Sequence, residues 1–326
     1  MITPRYGNPR SSTLSTARTL CGMNRPRRLL RAVAPVATAA IFLLVSGCGS
    51  TPLPGSSDSG GAQASGAGRP GTGPTTEAER ARDDALIAKL PPGLGAPAKK
   101  ELAQQILATA ENSTLDWRGQ YDYIEDLGDG NGYTAGIVGF CTGTHDLLTL
   151  VERYTKSHPD NGLARYLPAL REVDGSDSHE GLDPGFTTAW AKEAQKAAFR
   201  KAQDTERDRI YFDPAVRLAK LDGLGTLGQF IYYDAMVLHG PGTGPRGFYG
   251  LRETAMAEAD IPSQGGTEKT YLDVFLGLHR KAMKHEDPER DTSRIDTTQR
   301  RFLDDGNLDL KTPLRWEMYG ETFRVQ

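Results

Sequence analysis

The chain of 326 residues carries 39 Lys and Arg against 42 Asp and Glu, a formal net charge of -3, with 37% hydrophobic residues and three Cys. That length suits one large domain or two modest ones. Near-neutrality lacks the basic excess of a nucleic-acid binder, and three Cys cannot build a disulfide framework.

The charge is unevenly spread. Residues 1–48 hold Arg5, Arg10, Arg18, Arg25, Arg27, Arg28 and Arg31 and no acid. Arg25 to Arg31 precede an apolar run, Ala32 to Val45, broken only by Pro35 and Thr38, which is the pattern of an export signal. The run is shorter than the roughly 20 apolar residues of a membrane span. A start at Met23 would give a signal of ordinary length. The run closes on Leu44-Val45-Ser46-Gly47-Cys48, which resembles a bacterial lipobox and makes Cys48 the expected lipidation site. The mature chain is then expected outside the cell, touching the membrane only through that anchor. Gly, Ser, Pro and Thr fill 21 of the 28 positions from 49 to 76. Such a composition reads as a tether, so a linker is assigned to 49–84 and a folded domain to 85–326. Without residues 1–48 the net charge is -10. Cys141 is then the only thiol of the folded part, and its neighbours Val138, Gly139 and Phe140 place it in the core.

Along the domain, Leu102, Ile106, Leu107 and Ala110 recur at helical spacing after Pro97. Tyr121 to Phe140 alternates around Gly128-Asp129-Gly130-Asn131-Gly132 and predicts a hairpin or three-stranded patch. Leu147–Tyr154, Leu163–Val173, Thr187–Asp208 and Pro214–Leu238 are expected as helices, with Ile231–Leu238 apolar all round and therefore buried. Gly240 to Pro245 breaks the chain. Helices follow over Arg246–Asp260 and Lys269–Lys284, and the polar tail from Asp287 carries only short apolar patches. The expected class is mainly α (α+β), with one small sheet.

Several chemistries are absent. His145, His158, His179, His239, His279 and His285 form no zinc-type pair, so no metal or cofactor is expected. There is no G-x-S-x-G elbow and no Walker A motif. Gly223-Leu-Gly225-Thr-Leu-Gly228 lies between helices rather than after a strand, and the acids around Asp126, Asp129 and Asn131 lack an EF-hand Glu. Carboxylate chemistry remains. Glu111 ends an amphipathic helix beside apolar residues, where its pKa would rise, and Asp129 sits in an open Gly-rich turn, where it would stay ionised. Among so many acids, spacing alone does not single out this pair.

The residues around the pair carry a family resemblance. Glu111-Asn112, Asp116-Trp117, Tyr121, Tyr123-Ile124-Glu125-Asp126, Asp129, Gly132, Thr134, Gly139 and Asp146 resemble the signature region of glycoside hydrolase family 46, the chitosanases. Glu206 to Ala215, Tyr232-Tyr233-Asp234-Ala235, His239-Gly-Pro-Gly242, Gln264-Gly-Gly266, Asp291-Thr-Ser-Arg294 and Gly306 to Leu310 extend the likeness over about 90 to 326. The resemblance implies a lysozyme-like fold of two helical lobes joined by a bent helix, with a small sheet by the cleft. It implies endo-acting, inverting cleavage of β-1,4 bonds between glucosamine units, with Glu111 as general acid, Asp129 as general base and Thr134 placing the water. Arg294 and Asp234 would form an ion network behind the acid.

Two positions depart from the family pattern. Asn131 stands where Arg or Asp is usual, and His279 stands where the network has a base, so either the adjacent Arg280 substitutes or the network is weaker. The polycationic substrate suits a domain of net charge -10. Asp146, Glu125 and Glu286 are expected to meet its ammonium groups, with His239, Tyr133 and Asn131 also lining the cleft. Trp117 and Tyr121 are assigned to the core. The partner is chitosan or its oligomers, and a monomer is expected. A muramidase acting on peptidoglycan and a non-catalytic chitosan-binding lipoprotein are the alternatives.

Overall fold

The computed structural model describes residues 76–326. The export segment, Cys48 and the tether up to residue 75 lie outside the described residues. The first helix, α1 (Glu77–Ile87), opens on a capping box in which the Thr76 hydroxyl accepts from Glu79 N at 3.2 Å and the Glu79 carboxylate accepts from Thr76 N at 2.7 Å. It buries no side chain, and Arg217 holds it through Asp83 and Asp84. The linker end assigned to 84 therefore falls inside α1, because its many charges hide a well-capped helix in a composition that reads as tether.

Pro97 starts α2 (Pro97–Asn112), whose missing N–H is no loss at the first helical position. Leu102, Ala103, Ile106, Leu107 and Ala110 line its buried face, and Ser113 ends it in the left-handed conformation. The Gly-rich segment forms the expected antiparallel patch. β1 (Ile124–Asp126) pairs with β2 (Tyr133–Ala135), and β2 with β3 (Phe140–Cys141), with Thr134 opposite Glu125 on one side and Cys141 on the other. Gly132 at φ +66° must be Gly, since a Cβ there would meet the Thr142 hydroxyl at 2.2 Å.

Helices α3 (Asp146–Ser157), α4 (Leu167–Val173), α5 (Phe186–Glu193) and α6 (Ala197–Arg207) build one group of elements around the sheet. The expected helix over Thr187–Asp208 is in fact α5 and α6, parted at residues 194–196. From α6 the chain continues through a π-helical turn, Asp208–Phe212, into α7 (Asp213–Leu221). The expected bent helix would fall on this stretch, and a π turn within a helix is a common cause of bending. A second break at residues 222–225 separates α7 from α8 (Thr226–His239), the apolar central helix, which is buried along its length from Thr226 to Met236. Helices α9 (Phe248–Glu258) and α10 (Glu268–Glu286) pack on α8 and on each other.

The tail holds more structure than its polarity suggests. A π turn over Arg294–Gln299 runs into α11 (Arg300–Asp304), and β4 (Leu314–Met318) pairs with β5 (Glu321–Val325). Leu314, Trp316 and Met318 point inward while Arg315 and Glu317 are exposed, so the period-two pattern of a half-buried strand is present. The described residues are mainly helical with two small antiparallel sheets.

Candidate active site

Glu111 sits in the last turn of α2 and is only 5% exposed. Burial raises its pKa, and the nearby charges of Arg294 and Arg290 oppose the rise. One Nη of Arg294 contacts the Glu111 carboxyl, and Arg294 Nε reaches both oxygens of Asp234 at 3.0 Å. Arg294 begins the second π turn and Asp234 lies on α8, so three distant stretches of chain meet in a buried trio. Gln299 Nε2 donates a further bond to Asp234 at 2.6 Å.

Arg294 is the cation that both buried carboxyls contact. Burial raises the pKa of Asp234 as well, against the pull of Arg294 and Gln299. Asp234 accepts from both Arg294 Nε and the Gln299 amide, whereas the Glu111 carboxyl is met by one Arg294 nitrogen. The carboxyl with more donors is better stabilised as an anion, so ionisation is less favoured at Glu111 than at Asp234. Burial thus presses Glu111 toward its neutral form.

Asp129 occupies the turn between β1 and β2. One oxygen accepts from Asn131 N at 3.0 Å, an Asx-type turn, and the other is buried with no donor among the described residues. Asn131 is further held by Gly143 N, which donates to its carbonyl at 2.9 Å. Thr134 is fully buried in β2, with its hydroxyl 3.3 Å from Cys141 Sγ. Cys141 is buried, as expected, and its N–H donates to Asp146 at 2.8 Å.

Asp146 is 7% exposed, and its carboxylate also accepts from the Thr144 hydroxyl, Leu147 N and the Tyr211 hydroxyl. An ammonium partner was expected there, yet protein donors already engage both oxygens, so in this structure Asp146 joins the sheet to α3 and the first π turn. Tyr133 is also turned inward. Its hydroxyl donates to Asp183 at 2.7 Å, its ring stacks on His179 at 4.0 Å, and burial with the Asp183 contact pushes its pKa up to about 12. Glu125 is exposed and accepts from the Tyr123 hydroxyl at 3.2 Å. The side chain of Glu286 lies outside the described residues.

Arg280 does not substitute in the network. It is exposed and pairs with Asp296 at 2.9 Å, away from Glu111 and Asp234. A step of one residue turns a helix by about 100°, so with His279 inward Arg280 must face out. His279 is 0% exposed and packs edge-on against His239, with ring centroids 4.7 Å apart. No nitrogen of either ring has a hydrogen-bond partner among the described residues. Burial, followed by the nearby Arg charges, pulls His239 down to about 3, and burial likewise lowers His279. The expected base of the network is thus present as a neutral ring. Sequence reasoning also missed Gln299 and Tyr319. Among the described residues no three His, Cys, Asp or Glu side chains group to hold a metal ion.

A family model described as glycosyl hydrolase family 46 matches residues 105–314. The chain belongs to glycosyl hydrolase family 46. A Streptomyces chitosanase is 57% identical over 233 residues, covering 72% of this chain and 84% of that protein. A Nocardioides chitosanase is 52% identical over the same length and coverage. Among solved structures, a chitosanase complex superposes with a TM-score of 0.70 at 51% identity, covering 72% of this chain and 99% of that one. The family 46 chitosanase of Gynuella sunshinyii, solved with chitotetraose, gives 0.65 at 34% identity, covering 70% and 97%. The family match takes in Glu111, Asp129, Asp234 and Arg294, and it stops at Leu314, where β4 begins.

The neutral histidine pair has a consequence for this family 46 domain. The folded-state pKa of each ring lies below the unfolded value near 6.5, so their stability contribution is complete above pH 6.5 and is lost as the pH falls. Each costs up to about 1.4 kcal/mol per pH unit below that point. His279→Leu is expected to match the wild type at pH 7.5 and to gain on it steadily down to pH 5, in thermal melts at each pH. Parallel pH dependences for the two proteins would exclude this account.

Proposed function

We propose that this chain hydrolyses the β-1,4 bonds of chitosan from within the polymer and with inversion. Glu111 protonates the glycosidic oxygen and Asp129 activates the attacking water. The observation that carries this is Glu111 itself: a carboxyl buried at a helix end, pressed toward its neutral form, and braced by Arg294 and Asp234. A general acid must hold its proton at the working pH, and burial is the usual means.

Asp129 complements it. One oxygen is fixed by the turn and the other lacks a protein donor, which leaves lone pairs for a water proton. Inverting enzymes hold the two carboxyls about 6.5–9.5 Å apart so that water fits between them. The substrate class follows from the chitosanase relatives and from charge. With residues 1–48 removed the chain carries -10, which attracts a polymer of protonated amines. Exposed Glu125, on the strand leading to Asp129, is the proposed partner of one such amine.

Following chito-oligosaccharide cleavage by proton NMR tests the proposal. The first product signal is expected from the α-anomer, ahead of mutarotation, with cuts at internal bonds. A β-anomer appearing first overturns inversion, and no new reducing ends on chitosan overturns the activity.

A further inference from the structure

The C-terminal hairpin lies beyond the stretch that the family model matches, yet it touches both halves of the acid's support. On one side it grips the end of α2. Trp316 Nε1 donates to the Thr109 hydroxyl at 3.0 Å, and the Tyr319 hydroxyl donates to the Ala110 carbonyl at 2.8 Å. On the other side it grips the π turn that begins with Arg294. Thr297 and Thr298 donate to the Glu317 carbonyl at 2.6 and 3.2 Å, and the Ser293 hydroxyl accepts from Tyr319 N at 3.0 Å.

The grip at Ala110 is specific. This carbonyl is in the last turn of α2, where carbonyls have no donor from the helix itself, and Ser113 and Thr114 both turn their N–H groups to Ala108 instead. Ala110 is the residue before Glu111, so the Tyr319 hydroxyl fixes the peptide group from which the acid projects. Burial keeps that hydroxyl protonated and therefore a donor. The tip itself is strained. Tyr319 and Gly320 have φ of +52° and +80°, a two-residue turn in which Asn, Asp or Gly is the usual first residue. A bulky side chain held in the left-handed region is rare and marks a position that its contacts dictate.

We propose that Tyr319 is a positioning residue for Glu111, and that the hairpin sets the Glu111–Arg294 contact by clamping α2 to the π turn. This rests on Glu111 being the general acid. Misplacing a reacting group by about 1 Å costs on the order of 100-fold, so the loss of one anchor should be visible in turnover.

The test uses the full chain with Tyr319→Phe, which keeps the ring and removes the hydroxyl. On chitosan, kcat is expected to fall about tenfold or more with KM within twofold. On an aryl chito-oligosaccharide whose phenol leaves without protonation, the variant is expected to equal the wild type, because no acid is needed there. Wild-type kcat on chitosan overturns the proposal, and so does an equal loss on both substrates, which would mean general loosening. Should Tyr319→Phe prove insoluble, Ser293→Ala frees the same tip from the π turn and is judged on the same two substrates. Glu111→Gln is assayed alongside. If it cleaves chitosan like the wild type, the assignment of the acid fails. If it is inactive while Tyr319→Phe is not slowed, only the positioning role fails.

Discussion

Replacing Glu111 by Gln is expected to slow chitosan cleavage by about 10²–10⁴-fold while leaving the domain folded and no less stable. The two halves of this result have one cause. Glu111 is buried where its ionised form is disfavoured, so a neutral amide of the same shape suits the site at least as well. Its carbonyl oxygen can still accept from Arg294. What the amide cannot do is deliver a proton to the leaving oxygen. Asp129→Asn is expected to lose activity on the same scale, because an amide in that turn cannot take a proton from water. A reducing-end assay with melting curves checks both. A near wild-type rate in either variant removes that residue from the mechanism, and a collapse in melting temperature for Glu111→Gln contradicts the neutral-acid assignment.

The helical core was legible because its signal is local. The 3.6-residue spacing of Leu102, Ile106, Leu107 and Ala110 locates α2, and the all-round apolarity of Ile231–Leu238 locates the buried α8. The sheet was legible from alternation around a Gly-rich centre. The breaks between α5 and α6 and between α7 and α8 were missed, since Gln195-Lys196 and Asp222-Gly223 are too weak as punctuation to outweigh the periodicity on either side. The C-terminal hairpin had a local signal, the alternation from Leu314 to Met318, which was absorbed into a tail judged by its overall polarity.

The site was another matter. Glu111 and Asp129 were distinguishable from the other acids only through the family resemblance, and so were Arg294 and Asp234. Gln299 meets Asp234 across 65 positions and Tyr319 meets Ala110 across 209. Such pairs carry no sequence pattern. Arg280 failed for a geometric reason that was available from the sequence, since two adjacent residues of a helix cannot both face one buried network.

The trio also predicts what Arg294 contributes. Arg294→Met is expected to destabilise the domain by about 3–5 kcal/mol at pH 7.5, because it removes the cation that contacts both buried carboxyls, Glu111 and Asp234. The pH dependence gives the cause away. Without Arg294 both folded-state carboxyl pKa values rise further above their unfolded values, so the folded variant takes up protons as the pH falls. Its deficit against the wild type should therefore shrink from pH 7.5 to pH 5, in urea unfolding at each pH. Arg294→Met with Asp234→Leu should recover much of the stability, since a buried charge cluster replaced by apolar groups of similar volume is often neutral or better. Activity should not return, because Glu111 would keep its proton but lose the group that orients it. A loss below about 1 kcal/mol that is flat with pH would show the trio to be a minor contact, and the double variant regaining activity would show that orientation by Arg294 is dispensable.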